Sequence, residues 1–270
     1  MTDANGNSPK SDKGPARPLP KRFYKAVSVV VADAPTVPAS PPPYPSPTRG
    51  EGRAHPFRIL LDGKPIRTPA KRHFELPSQA LAEAIAAEWE AQADHVDPAT
   101  MPLTRLANSA IDGVAGREAE VRADIARYAG SDLVCYRAEG PEELVQRQAQ
   151  LWDPVLSWAA GTLGVRLQVA AGIMPVAQPD AAAAAVVRAL ERRSAFALAA
   201  LLVMTTLTGS ALLALAHAHG HLPAEEAWAA AHVDEDWQIS RWGEDAEANA
   251  RRARRWADMQ AASRLLELVR

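Results

Sequence analysis

The residues best equipped for chemistry lie in one short stretch, HVDEDWQISRWGEDAE, which runs from His232 to Glu247. It holds one histidine, six carboxylates and two tryptophans within sixteen residues. Three kinds of chemistry are open to such a set: metal ligation, general acid–base work by carboxylates, and protein recognition through aromatic anchors set among charges. Laid out as one helix at about 100° per residue, Trp228, His232, Glu235, Ile239 and Trp242 fall on one narrow face. His232 and Glu235, one turn apart, are the pair a metal-dependent hydrolase would use. Glu-x-x-His is the order found in di-iron bundles. Here the order is reversed, and no second pair or third ligand accompanies it. On this face Glu235 is expected among Trp and Ile, where burial disfavours a carboxylate unless a partner supplies a cation.

The rest of the chain offers this stretch no catalytic companion. There is no Gly-x-x-x-x-Gly-Lys phosphate loop, no Gly-x-Gly-x-x-Gly fingerprint and no Gly-x-Ser-x-Gly elbow. His217 and His219 would project roughly 200° apart on a helix, so they are poor joint ligands. Arg251 to Trp256 (RRARRW) could touch phosphate, but Glu247 stands four residues before Arg251, the spacing of an ion pair on a solvated face. Cys135 is the single cysteine. It excludes an internal disulfide and a thiolate zinc site, and between Val134 and Tyr136 it reads as a buried, inert thiol. The residues therefore point to a binding surface of aromatic anchors and acids, with no catalytic residue, metal or cofactor.

Several elements must position that surface. Residues 21–77 read as a small β domain. Val27, Val29, Val30 and Val31 are β-branched, Asp62-Gly63 is a hairpin turn that needs positive φ, and Thr68 to Lys71 supplies a further turn. A proline-rich insertion at 34–56 interrupts the β domain; prolines at that density cannot feed a ladder. From 78 to 270 the periodicity is helical, giving a larger all-helical domain and an α+β fold. Leu81, Ile85 and Trp89 share one face, as do Val121, Ile125 and Tyr128. Gly130 is expected to end its helix in the left-handed conformation, and Pro141 to open the next, with Pro154 inside it as a kink. Pro179-Asp180 and Leu222-Pro223 open others, and a last helix runs from about Glu244 towards Leu268. Ala195 to Ala216 carries no charge. Gly209 and the polar Thr205, Thr206, Thr208 and Ser210 favour two core helices over a membrane span.

The formal net charge of −2 argues against a general nucleic-acid binder. Residues 1–20 carry neither a secretory signal nor a transit peptide, so they are expected to be a disordered tail on a cytoplasmic, bacterial protein.

In order, KRFYKAVSV, LLDGKPIRTPAKRHFELPS, ALAEAIAAEWEAQADHVDPATMPLTRLANSAID, YAGSDLVCYRAEGPEELVQRQAQLWDPVLSWA and DEDWQISRWGEDAEA resemble the assembly chaperones that attend the α subunit of the ATP synthase catalytic head. The resemblance runs from about Lys21 to the carboxy terminus. It departs at Ala34 to Pro56, where the family pattern has a short β connection. It implies a chaperone, not an enzyme, that binds the unassembled α subunit, masks the surface meant for the β subunit and releases it during assembly. It also implies that the family's acidic motif falls on Glu235, Trp237, Trp242, Gly243, Glu244, Asp245 and Glu247, with the same two-part fold.

Overall fold

A computed structural model of the chain describes residues 18–32, 55–172 and 174–270. The expected tail, apart from residues 18–20, and the proline-rich insertion, apart from residues 55 and 56, lie outside the described residues.

The β part is built on two antiparallel strands, β1 (Val27–Val31) and β2 (Phe57–Leu61), with Val29 opposite Ile59. β2 also pairs with the short β3 (Lys64–Pro65) and β4 (Glu75–Leu76). The expected turns form where their chemistry demands. Asp62 and Gly63 both have positive φ, 47° and 77°, as a primed hairpin turn requires. Lys71 donates to Thr68 O at 2.8 Å across the second turn. The inward side chains Ile59, Phe74 and Leu76 share one cluster with Leu81 and Ile85 of α1 (Gln79–Glu90), so the sheet closes on helices and not on a core of its own.

Ser78 opens the helical part by two bonds. Its hydroxyl accepts from Leu81 N as an N-cap and donates to Leu268 O near the far end of the chain. Glu88 then reaches from α1 to the first turn of α2 (Pro102–Ser109), accepting from Leu103 N, Thr104 N and the Thr104 hydroxyl at 2.7–2.8 Å. Burial nonetheless holds its pKa above the ordinary value. α3 (Glu118–Arg127) follows, then α4 (Glu142–Trp158), whose first turn carries Glu142 and Glu143 after Pro141 and which continues through Pro154. Gly130 departs from expectation. α3 tightens into a 3₁₀ turn at Tyr128–Gly130, and no left-handed residue is used there. A short parallel pair, β5 (Tyr136–Arg137) with β6 (Ala170–Ala171), adds strand pairing that helical periodicity does not foresee. α5 spans Asp180–Leu190.

The uncharged stretch resolves into α6 (Ala195–Thr208) and α7 (Ala211–Ala218), separated at Gly209, whose φ of 68° makes it a left-handed cap. Among the described residues no helix is long and apolar enough to cross a membrane. Five consecutive residues of α6, Ala197 to Leu201, are buried, and α6 packs against α3, α7 and α10 (Ala246–Leu268). The break is held from both sides. Ser210 caps α7 by accepting from Leu213 N at 3.0 Å. Asp132, fully buried, accepts from Leu212 N at 3.1 Å and Val134 N at 3.3 Å, while Leu133 N donates to Gly209 O. Cys135 lies beside it at 0% exposure, its thiol pushed up to about 12 by burial and by the Asp132 charge. It is an inert core residue, as its apolar neighbours suggest.

Burial raises the Asp132 pKa to about 6 against the bonds from Ser210, Leu212 and Val134 that favour the anion. A carboxyl raised in the folded state stabilises the fold at low pH, and that contribution is lost as pH rises through the folded pKa. Between about pH 4 and pH 7 the native protein should therefore lose roughly 3 kcal/mol from this one group. Urea unfolding of the native chain and of Asp132→Asn at several pH values checks this. The variant should lack that acid-side gain, and equal slopes for the two proteins would refute the assignment.

Candidate partner-binding site

The acid- and tryptophan-rich stretch does not form one helix. α8 (Ala224–Ala231) ends at His232, which has φ −117° and ψ 19° and is also the residue before α9 (Val233–Trp242). The expected single face is corrected accordingly. Trp228 lies on α8, buried, and Trp242 ends α9 at 74% exposure. The reason is local: the imidazole of His232 turns back, its Nδ1 2.8 Å from Trp228 O and its ring centroid 3.8 Å from that of Trp228. Burial lowers its pKa, opposed by the Trp228 carbonyl and the Glu235 charge and reinforced by Arg252 and Arg255. One ring nitrogen is already engaged. Glu235 is exposed, which corrects the expectation of an apolar setting for it. Among the described residues no three His, Cys, Asp or Glu side chains are grouped to hold a metal ion.

α9 is attached by polar ties and buries only Val233. Asp234 accepts from Gln148 Nε2 of α4 at 2.7 Å, Arg241 is ion-paired to Glu143 of α4, and Asp236 to Arg252 of α10 at 2.5 Å. Trp237 is half-buried beneath the Arg241 guanidinium, 5.6 Å from its centroid, and meets Trp242 edge to face at 5.5 Å. The Trp237 indole nitrogen is shielded from solvent and has no hydrogen-bond partner among the described residues.

Beyond Gly243 the chain turns back as α10. Asp245 caps it, accepting from Ala248 N at 2.7 Å. Glu244 accepts from Asn249 Nδ2 at 2.7 Å, and Glu247 pairs with Arg251 at 2.5 Å, the i,i+4 bridge its spacing predicts. The reversal encloses a cleft of about 460 Å³. Of the candidate residues Glu235, Trp242 and Asp245 line it, together with Arg251, Arg252 and Arg255. Glu244 borders a neighbouring depression beside Trp228 and Trp256, while Trp237 and Glu247 stand outside the cleft. The three arginines were legible only as a solvated helix face. Arg251 and Arg255 share a side of α10, but nothing local says that α9 folds back beside them. The cleft so made can hold a segment of mixed charge around an apolar anchor.

The chain as a whole is similar to known proteins. The profile of the family described as ATP12 chaperone protein matches residues 21–160. The curated relative "Protein atp12, mitochondrial" from Schizosaccharomyces pombe is 26% identical over 197 residues, 68% of each chain. Among solved structures, the Atu1473 protein of Agrobacterium tumefaciens is 49% identical, covering 93% of this chain and 87% of that one, with a TM-score of 0.82. Atp12 from Paracoccus denitrificans is 38% identical over 93% of this chain and 99% of that one, with a TM-score of 0.80. The two-part fold, the matched residues and these identities agree with the sequence resemblance, and the chain belongs to the ATP12 family of ATP synthase assembly chaperones.

Proposed function

We propose that this chain binds the unassembled α subunit of the ATP synthase catalytic head in the cytoplasm, masks its β-subunit-facing surface and releases it during hexamer assembly. It acts by binding and not as an enzyme, and it needs no cofactor, metal, nucleic acid or membrane insertion. The observation that carries this reading is the α9–α10 reversal, where Trp242 stands exposed at the edge of a cleft bearing both acids and arginines. Glu235, Trp237, Trp242, Glu244, Asp245 and Glu247 form the proposed contact surface. A free α subunit exposes apolar interface that would otherwise aggregate, and a temporary cover suppresses this. A cover built from polar and charged groups around one aromatic anchor is displaceable by the proper partner in a way that an extensive apolar seam is not. Competition from the β subunit then drives release.

Co-expression with the α subunit followed by pull-down tests the reading directly. The α subunit should be retained, and retention of β alone or of neither would refute it. Within the surface, Trp242→Ala and Glu244→Lys should each weaken α capture at least about tenfold while the free chaperone stays folded.

Asp245 is both a cap and a proposed contact, and two substitutions separate these roles. Asp245→Ala should cost on the order of 1 kcal/mol of stability by removing the cap. Asp245→Asn keeps a capping oxygen and removes the charge, so it should preserve thermal stability yet reduce α capture. Full capture by Asp245→Asn would assign this residue to α10 alone.

A further inference from the structure

We propose that the β part carries a second docking site, an aromatic cleft with a basic rim that takes an extended acidic segment of the client and inserts one of its apolar side chains. This inference rests on the chaperone reading above and adds a surface remote in sequence from the acidic stretch.

Charge is distributed unevenly in this chain. Residues 18–32 hold three Lys or Arg and no carboxylate, and residues 55–77 hold five against Asp62 and Glu75. The whole chain has a net charge of −2. Arg22 and Arg58 are committed to Glu90 and Glu75. Lys25, Lys64 and Arg67 are exposed, and none has a carboxylate at ion-pair distance among the described residues.

Beside Lys64 and Arg67 lies a cleft of about 320 Å³, floored by Tyr24, Leu61, Ile66 and Trp89 and bordered also by Phe23 and Asp62. Phe23 is 72% exposed, an unusual position for a large apolar ring. The site is preformed, not collapsed onto itself. Phe23 meets Tyr24 edge to face at 5.4 Å, Tyr24 meets Trp89 at 5.7 Å, and the Tyr24 hydroxyl donates to Trp89 O at 2.6 Å. The one carboxylate on the rim, Asp62, is turned to the backbone, accepting from Lys25 N at 3.0 Å and Ala26 N at 2.9 Å, which holds its pKa below the usual range. An apolar pocket edged by Lys64 and Arg67, with the nearby Asp62 carboxylate engaged by backbone amides, is complementary to an acidic segment with one aliphatic or aromatic anchor. Leu61, Ile66 and the edge-on rings make a pocket, not the open stacking platform that single-stranded nucleic acid uses.

The test uses the full-length chain co-purified with its α subunit. Phe23→Ala and the double variant Lys64→Glu with Arg67→Glu should each reduce α capture at least about tenfold, with unchanged thermal midpoints because all three side chains are exposed. A photo-cross-linking residue at position 23 should join the chaperone to a carboxylate-rich stretch of α. Native-level capture by both variants would overturn the second site while leaving the α9–α10 reading intact. So would cross-links confined to a second copy of this chain, to its own residues 1–17 or 33–54, or to a non-acidic part of α. Loss of binding to oligothymidylate or to anionic phosphatidylserine vesicles, with α capture untouched, would reassign the cleft to those ligands. No α capture by the native chain would remove the chaperone reading itself, and this inference with it.

Discussion

Asp132 lies fully buried against the amino terminus of α7, and the break between α6 and α7 depends on the acceptor it supplies. A helix that starts inside a core leaves backbone donors that water cannot reach, and each costs as much as a lost hydrogen bond if left unpaired. Ser210 takes one of these donors and Asp132 another, while Leu133 N returns a bond to Gly209 O. The loop that carries Asp132 also carries Cys135 and leads into β5, so one carboxylate fixes where three segments meet. α6 can then stay apolar almost all round, and α3, α7 and α10 pack on it. The cost is a raised pKa, because burial strips the charge of water and no ion pair to it forms among the described residues.

What the sequence made legible follows from the range of the forces involved. Turn chemistry is local, so Asp62-Gly63, the break at Gly209 and the proline starts of the helices could be read from a few residues each. The burial of Leu81, Ile85, Val121 and Ile125 was carried by periodicity. Gly130 shows the limit of reading glycine by type: the chain there tightens into a 3₁₀ turn with negative φ, and any small residue would satisfy it. The break at His232 was invisible because the apolar and acidic spacing runs through it unbroken. The imidazole's return to the Trp228 carbonyl, a local contact that the spacing does not reveal, lies at the point where α8 gives way to α9. The same holds for Arg252 and Arg255, whose place beside Glu235 and Asp245 depends on the reversal at Gly243.

The two ends of the chain use opposite charge in similar ways. At the amino-terminal end an exposed Phe23 stands among lysines and arginine; at the carboxy-terminal end an exposed Trp242 stands among carboxylates with arginines behind them. In each case an aromatic ring supplies contact area and the surrounding charge selects what approaches it. Ser78 joins the two ends mechanically, capping α1 while bonding Leu268 O at the close of α10.

α9 buries one residue and is fastened by side-chain ties to α4 and α10. Elements held in this way detach at a free-energy cost well below that of global unfolding, because little apolar surface is exposed when they do. The backbone amides of α9 should therefore exchange with solvent through partial openings that leave α6 and the core closed. A surface mounted on such a unit has part of its binding free energy spent on ordering it. That expenditure lowers the affinity with which any guest is held.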